Sequence, residues 1–293
     1  MNDLVVYGPS SRWLASELAQ ELECDTMMFQ TKIFPDGETY VRLPASPSSK
    51  DVILLNTFYP NQDRRIVETL LMCDALRRSG VQNITLIVPY LAYARQDKVF
   101  LSGEPISLVP IGRALSCLGV NDVIVVEAHS KEALEALGLN VTNVEVRESM
   151  LKALEALKIK PDVIVAPDKK AEIRASWLAL KLNAELLVFE KSRDRLTGQV
   201  SSQPVKEVNV SQKSVLIVDD IISTGGSVAN ASSFLKKEGA LEIRAMCVHA
   251  LMVGDAESVL FENGVLAVYG SNTVETKFSK YSVVGELSRA LKR

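Results

Sequence analysis

Short runs of consecutive apolar, mostly β-branched residues recur along the chain. They lie at Leu4–Tyr7, Val52–Asn56, Ile84–Val88, Val123–Glu127, Val163–Ala166, Leu186–Phe189, Val215–Asp219, Ile243–Val248 and Val265–Val268. They lack the strict alternation of a half-exposed sheet, so they predict strands covered on both faces. The stretches between them carry apolar residues at helical spacing. Leu14, Leu18 and Leu22 predict one helix, with Ser10 or Ser11 as its cap. Ile66, Leu70, Cys73 and Leu76 predict a second. Met150, Leu151, Leu154 and Leu157 predict a third that stops at Lys158–Pro161. Leu178 and Leu182 mark a fourth, and Ala231, Phe234 and Leu235 a fifth within Val228–Lys236. Strands alternating with helices of this length predict βαβ units, hence an α/β fold of mainly parallel sheets flanked by helices. Thr31–Leu43 (TKIFPDGETYVRL) departs from this pattern and reads as two short strands around a Pro-Asp-Gly turn.

The alternation restarts after about residue 145, and 293 residues exceed the roughly 100–200 typical of one domain. Two α/β domains are expected, residues 1–145 and 146–293, joined without a Gly/Ser-rich linker. Hydrophobic residues are 47% and charged residues 24%, enough apolar surface for a large core. A formal net charge of −3 argues against a nucleic-acid partner. Cys24, Cys73, Cys117 and Cys247 are scattered with no CxxC pair, which argues against zinc and predicts buried or partly buried thiols in a reducing compartment. The N-terminal MNDLVVYGPSSRW lacks the regions of a secretory signal, and no run of about 18 apolar residues predicts a membrane span. A cytoplasmic location is the expectation.

Val215–Ser227 (VLIVDDIISTGGS) carries the chemistry. A buried strand ends in Asp219 and Asp220, and a Ser-Thr-Gly-Gly-Ser loop then opens a helix. In open α/β sheets, ligands bind at the carboxyl ends of strands. Backbone N–H groups, hydroxyls and a helix N-terminus make an anion site there, and Gly225 and Gly226 let a phosphate come close. An ordinary capped turn accounts for the glycines but not for the two acids. The stretch resembles the PRPP-binding motif shared by type I phosphoribosyltransferases and PRPP synthases. That resemblance implies two type I phosphoribosyltransferase-like domains. It also implies that Asp219 and Asp220 hold the ribose and that Ser223, Thr224, Gly225, Gly226 and Ser227 hold its 5-phosphate.

Further segments distinguish a maker of PRPP from a consumer. Phe34-Pro35-Asp36-Gly37-Glu38 resembles the F-x-D-G-E segment of PRPP synthases, which recognises adenine and often completes a neighbouring subunit's site. On its own it reads as a hairpin turn. Tyr90–Ser107 (YLAYARQDKVFLSGEPIS) is similar to that family's Y-A-R-Q-D segment, loop and E-P-I-S run, and implies that Arg95, Gln96 and Asp97 bind ATP. His129, after Glu127-Ala128, and Asp168, after Pro167, match positions that serve Mg²⁺ in the family. Lys191-Ser192-Arg193 resembles the K-x-R that opens a catalytic loop, with the polar run Asp194–Ser202 after it, although alone it reads as a solvated charge run. The resemblance makes Lys191 and Arg193 catalytic, with Arg193 also on ribose 5-phosphate. His249 has no motif around it and reads as packing.

These segments occur in the family's order along nearly the whole chain. The chain is identified as a member of the ribose-phosphate pyrophosphokinase family, closer to its archaeal branch. The implied reaction moves the diphosphoryl group of Mg-ATP to ribose 5-phosphate, giving PRPP and AMP. The implied cofactor is Mg²⁺, and the implied assembly is a homo-oligomer, a dimer or a multiple of dimers. A PRPP-consuming transferase, or a non-catalytic relative, competes with this reading; the first half of the chain and the lack of an evident nucleobase hood stand against the first, and Lys191, Arg193, His129 and the intact Ser-Thr-Gly-Gly-Ser loop against the second. Two positions depart from the family pattern. Lys170 replaces a small residue, and Glu127 lengthens a carboxylate.

Overall fold

The computed structural model describes residues 4–193, 200–206 and 208–292. Contacts divide the chain into two units. The first, Met1–Val146 with Asn272–Glu275 and Ser282–Arg293, contains β1 (Leu4–Tyr7), α1 (Arg12–Leu22), β2 (Thr26–Met28), β3 (Gln30–Ile33) and β4 (Thr39–Arg42). It continues with β5 (Asp51–Leu55), α2 (Gln62–Arg78), β6 (Asn83–Val88), α3 (Leu108–Cys117), β7 (Asp122–Val126), α4 (Lys131–Ala136) and β8 (Asn140–Val144). Among the described residues its main sheet runs β2-β1-β5-β6-β7-β8, with every neighbouring pair parallel. β3 and β4 form a separate antiparallel hairpin around Gly37, whose φ of +95° favours glycine.

The second unit, Arg147–Ser271 with Thr276–Tyr281, contains α5 (Arg147–Ala156), β9 (Val163–Ala166), α6 (Glu172–Leu182), β10 (Glu185–Arg193) and β11 (Val200–Pro204). After these come β12 (Ser214–Ile222), α7 (Gly226–Lys237), β13 (Glu242–Ala250), α8 (Ala256–Glu262), β14 (Val265–Ser271) and β15 (Ser279–Tyr281). The strand order is β11-β10-β9-β12-β13-β14-β15, parallel except for β10 with β11. β9 is buried along its whole length, as its unbroken apolar run predicts. Val163, Val165, Ile217, Ala245 and Leu235 share one core, closed by an edge-on contact of Phe189 and Phe234 at 5.4 Å. The last helix, α9 (Val284–Leu291), packs on α1 and β8 of the first unit. Trp13 and Glu17 on α1 meet this returning segment: Glu275 accepts from the Trp13 N–H at 2.5 Å, and the Glu17 carboxylate accepts from Asn272 and Ser282.

Local details differ from the sequence expectation. Ser11 occupies the cap position of α1 but makes no capping bond; its Oγ accepts from the Thr57 N–H at 3.0 Å. α5 ends at Ala156, which leaves Leu157 exposed. Cys117 is exposed at the end of α3, while Cys73 and Cys247 are buried and Cys24 half-buried, all as free thiols. Burial pushes the Cys73 thiol up to about 12. His249 is buried on β13, in line with its packing role. Among the described residues, no helix is long and apolar enough to cross a membrane.

One arginine closes the ends of two helices. Arg77, in the last turn of α2, donates to the carbonyls of Leu118 at 3.0 Å, Val81 at 3.2 Å, Gln82 and Gly119. A Cβ at Gly119 would fall 2.2 Å from this guanidinium, so glycine is required for the approach. Arg77→Ala strands these acceptors and is expected to cost about 2–4 kcal/mol, read as a lowered urea midpoint with unchanged slope. Lys at this position should recover only part, because one ammonium lacks the guanidinium's spread of donors.

Candidate active site

In a doubly wound sheet the crevice opens where the chain has stepped to both sides of one strand. In the second unit that strand is β9, with β10 on one side and β12 on the other. Asp168 follows the end of β9, and Asp219 and Asp220 lie on β12. β12 runs three residues beyond the predicted end at Asp219, because β13 continues alongside it and pairs Asp219 with Cys247, Ile221 with His249 and Ile222 with Ala250. The acids therefore sit inside the strand near its carboxyl end. Burial first, then the charges of Asp220 and Asp168, push the Asp219 carboxyl well above the ordinary carboxylate range. These carboxylates are thus close enough to act on one another. The Asp168 loop is held by its own side chain, whose Oδ1 accepts from the N–H groups of Lys170 at 3.0 Å and Ala171 at 3.2 Å. Lys170 has no positive φ, so the backbone accepts a residue with a Cβ there.

The loop after β12 leads directly into α7, which begins at Gly226, two residues before the predicted start. Gly225 is the cap residue with φ +80°. The first backbone N–H groups of any α-helix have no intrahelical acceptor, and the helix dipole adds positive potential at that end. Among the described residues, no atom beyond its chain neighbours and its own helix backbone lies within 4 Å of where a Cβ would stand on Gly226. Ser223, Thr224, Gly225, Gly226 and Ser227 form this turn as the motif implies.

β10 carries Lys191 and Arg193, whose backbones pair with Ser202 and Val200 of β11. Their side chains, and residues 194–199, lie outside what the structure describes. Ser201 and Ser202, expected in a loose polar run, belong to β11. Lys169 bonds Glu190 at 2.6 Å and so ties the Asp168 loop to the residue before Lys191.

In the first unit the ends of β1 and β5 are closely packed around Gly8 and Thr57. A Cβ on Gly8 would meet Asn56 Oδ1 at 2.2 Å. The Thr57 hydroxyl donates to the carbonyl of Thr273 at 2.8 Å and accepts from the Tyr90 N–H at 3.2 Å. The polar residues of this unit instead gather at the ends of β6 and β7. Arg95 is exposed, with no hydrogen bond or ion pair among the described residues. Gln96 Oε1 accepts from the Ser107 hydroxyl at 2.5 Å, and Asp97 Oδ2 from the Ser130 hydroxyl at 2.7 Å. The Ser130 bond first, with help from Lys98 and His129, holds Asp97 below the ordinary carboxylate range. Ser130 also caps α4 through the Ala133 N–H at 3.1 Å, so one hydroxyl links Asp97 to the loop of His129. Tyr93, in the left-handed region at φ +66°, is hydrogen-bonded to Asp63 on α2. Glu104 Oε2 accepts from the N–H groups of Phe100 and Leu101, each at 2.9 Å, and shapes the loop between Asp97 and Ser107. Glu127, at φ +45°, spends its lengthened carboxylate on the Val146 N–H at 3.0 Å.

Phe34, Asp36, Gly37 and Glu38 stand at the exposed hairpin tip. Asp36 Oδ1 accepts from the Glu38 N–H at 3.1 Å, and Phe34 N–H bonds the Glu38 carbonyl at 2.8 Å. Of the supporting residues the sequence reading missed, Ser130 carries a local signal, a serine one residue ahead of Lys131–Ala136 that suits a helix cap. Asp63, Glu190 and Thr273 had no sequence signal, because only folding brings them to these loops.

The model for the N-terminal domain of ribose phosphate pyrophosphokinase matches residues 4–119, and that for the phosphoribosyl transferase domain matches residues 140–260. The ribose-phosphate pyrophosphokinase of Sulfurisphaera tokodaii is 35% identical over 99% of both chains. The chain belongs to the ribose-phosphate pyrophosphokinase family. A second pyrophosphokinase, from Thermococcus kodakarensis, is 40% identical over 88% of this chain and 90% of its own. The phosphoribosylpyrophosphate synthetase of Mycobacterium smegmatis superposes with a TM-score of 0.84 at 25% identity, covering 100% of this chain and 98% of that one. The match extends through the first unit, the part that separates a pyrophosphokinase from a PRPP-consuming transferase. Among the described residues, no group of three or more His, Cys, Asp or Glu side chains is arranged to hold a metal ion.

Proposed function

We propose that the chain transfers the β,γ-diphosphoryl group of ATP to O1 of ribose 5-phosphate, giving PRPP and AMP, with its two units divided between the substrates. The observation that carries the sugar-phosphate half of this reading is the pair Asp219–Asp220 running into a helix N-terminus in the second unit, and the first unit with Arg95, Gln96 and Asp97 carries the ATP half. Asp219 and Asp220 accept hydrogen bonds from ribose hydroxyls, and residues 223–227 cradle the 5-phosphate. Arg95 grips ATP phosphates with its fork of donors, and Gln96 and Asp97 orient the nucleotide. The O1–Pβ bond forms as the bond from Pβ to the α,β-bridging oxygen breaks, the O1 proton leaves, and AMP departs. Such a step depends on in-line placement and on spreading negative charge over fixed cations. Lys191 and Arg193 supply those cations, Arg193 also holding the ribose phosphate.

Mg²⁺ fits the residues present. Such a hard ion is held by one or two carboxylates together with substrate phosphates, and Asp168 presents a carboxylate just after the end of β9. Asp168 would hold it in the second unit, and His129 in the first would meet the nucleotide directly or through a water; bound, the ion would neutralise charge on the phosphate oxygens. Phe34, Asp36, Gly37 and Glu38 recognise adenine, with Phe34 stacking on the base and the carboxylates accepting from its amine. The exposed tip suits a role in a neighbouring subunit, so the working form is a homo-oligomer, a dimer or a multiple of dimers.

The direct test mixes the protein with ribose 5-phosphate, ATP and Mg²⁺ and follows AMP and PRPP together. The two should appear in equal amounts. ADP without PRPP would mean ordinary phosphoryl transfer. Binding without turnover would favour a non-catalytic relative.

A further inference from the structure

Lys32, Phe34 and Tyr40 share one face of the β3–β4 hairpin. Lys32 and Tyr40 are direct cross-strand partners, and Phe34 lies two residues beyond Lys32, where the strand period returns a side chain to the same face. The Lys32 ammonium stands 4.5 Å from the Phe34 ring centroid and 5.8 Å from that of Tyr40. Tyr40 meets Phe34 edge-on, with centroids 6.0 Å apart and planes at 74°. All three are exposed, so burial does not hold the Phe34 ring; its neighbours do.

We propose that Lys32 is a positioning and specificity residue for the donor nucleotide, acting through Phe34. This rests on the reading of Phe34 as the base platform. Without neighbours, an exposed phenylalanine at a turn samples several rotamers, and stacking on a base costs the entropy of stopping it. Lys32 over one ring face and Tyr40 at the edge remove that freedom beforehand and reserve the opposite face for a base. The cation draws on the ring's electron density, which suits it to an electron-rich purine. When a base covers the far side the ammonium loses water, and cation–π attraction strengthens on desolvation. The preference falls on the donor's base, not on its phosphates or on the sugar acceptor.

The test compares Lys32→Met, Lys32→Arg and Phe34→Ala in the full-length protein, by steady-state kinetics and by calorimetry with a non-hydrolysable ATP analogue. Lys32→Met should raise KM for ATP and weaken analogue binding by about three- to tenfold, with KM for ribose 5-phosphate unmoved. Lys32→Arg should restore both, since a guanidinium also stacks on the ring. Discrimination between ATP and a pyrimidine triphosphate should narrow in Lys32→Met. If Lys32→Met binds the analogue normally while Phe34→Ala does not, the role of Lys32 is refuted and the platform stands. If Phe34→Ala also binds normally, the platform reading fails and this inference with it. Should Lys32→Met unfold, Lys32→Gln carries the same comparison.

Discussion

Lys191→Ala is expected to lower kcat by about 10³-fold or more, the range seen when one cation or donor aimed at transition-state charge is removed. Affinity for ribose 5-phosphate should stay within about twofold, because the groups assigned to the sugar phosphate are Arg193 and residues on β12 and the turn after it, all of which the Lys191→Ala variant keeps. The position supports the assignment. Lys191 is in the far half of β10, beyond the part paired with β9, where the strand runs antiparallel with β11. Glu190, immediately before it, is tied to Lys169 of the Asp168 loop. A lysine whose neighbour is anchored to the acidic loop starts from a defined origin, which a charge needs if it is to meet a transition state. Lys191→Arg should recover only part of the rate, since a planar fork and a compact ammonium present charge differently. Steady-state kinetics with calorimetry for ribose 5-phosphate decide the matter. Unchanged turnover in the Ala variant would remove Lys191 from the mechanism, and an equal loss of sugar-phosphate affinity would make it a binding residue.

The second large effect is at Asp219, where Asn should abolish most turnover and yet stabilise the unliganded protein. Burial, then Asp220 and Asp168, raise this carboxyl, so the folded chain favours its protonated form. Its contribution to stability is therefore complete below the ordinary carboxylate range and is lost as pH rises through the raised value. Asparagine keeps an Oδ1 to accept from the Asp220 N–H, a bond of 2.9 Å in the native chain, and carries no charge to lose. The difference in Tm between Asp219→Asn and the native protein should be small in mild acid and widen towards pH 8. Each kcal/mol corresponds to about 2–4 °C for a domain of 150–250 residues. Strained, self-repelling groups kept at a functional site are the usual form of this trade-off. A Tm gap that stays constant with pH would mean that Asp219 is not held in this state, and a variant with native turnover would remove it from the sugar site.

The buried strands were legible because their burial on two faces leaves a local mark, an unbroken apolar run. The hairpin was legible because Pro-Asp-Gly is turn chemistry, and Gly37 takes the φ of +95° that such a turn asks for. The phosphate turn was legible because acids, hydroxyls and glycines sit within nine residues, 219–227, so chain connectivity alone brings them together. Four strands left no such mark. β2, β8, β11 and β15 are short or polar, and each exists because a neighbour offers a ladder, not because its own pattern demands one. The extra length of β12 likewise comes from β13. The chain's return through Thr273 and α9 to the first unit depends on contacts more than 200 positions apart, such as Thr57 with Thr273. The links from Asp63 to Tyr93 and from Ser130 to Asp97 span only 30 and 33 positions but are likewise made by folding alone. Sequence determined which side chains are candidates for the chemistry, since their types and spacing are local properties. Tertiary structure decided how far β12 extends and which distant groups brace the loops at the strand ends, since those depend on what a remote segment packs against them.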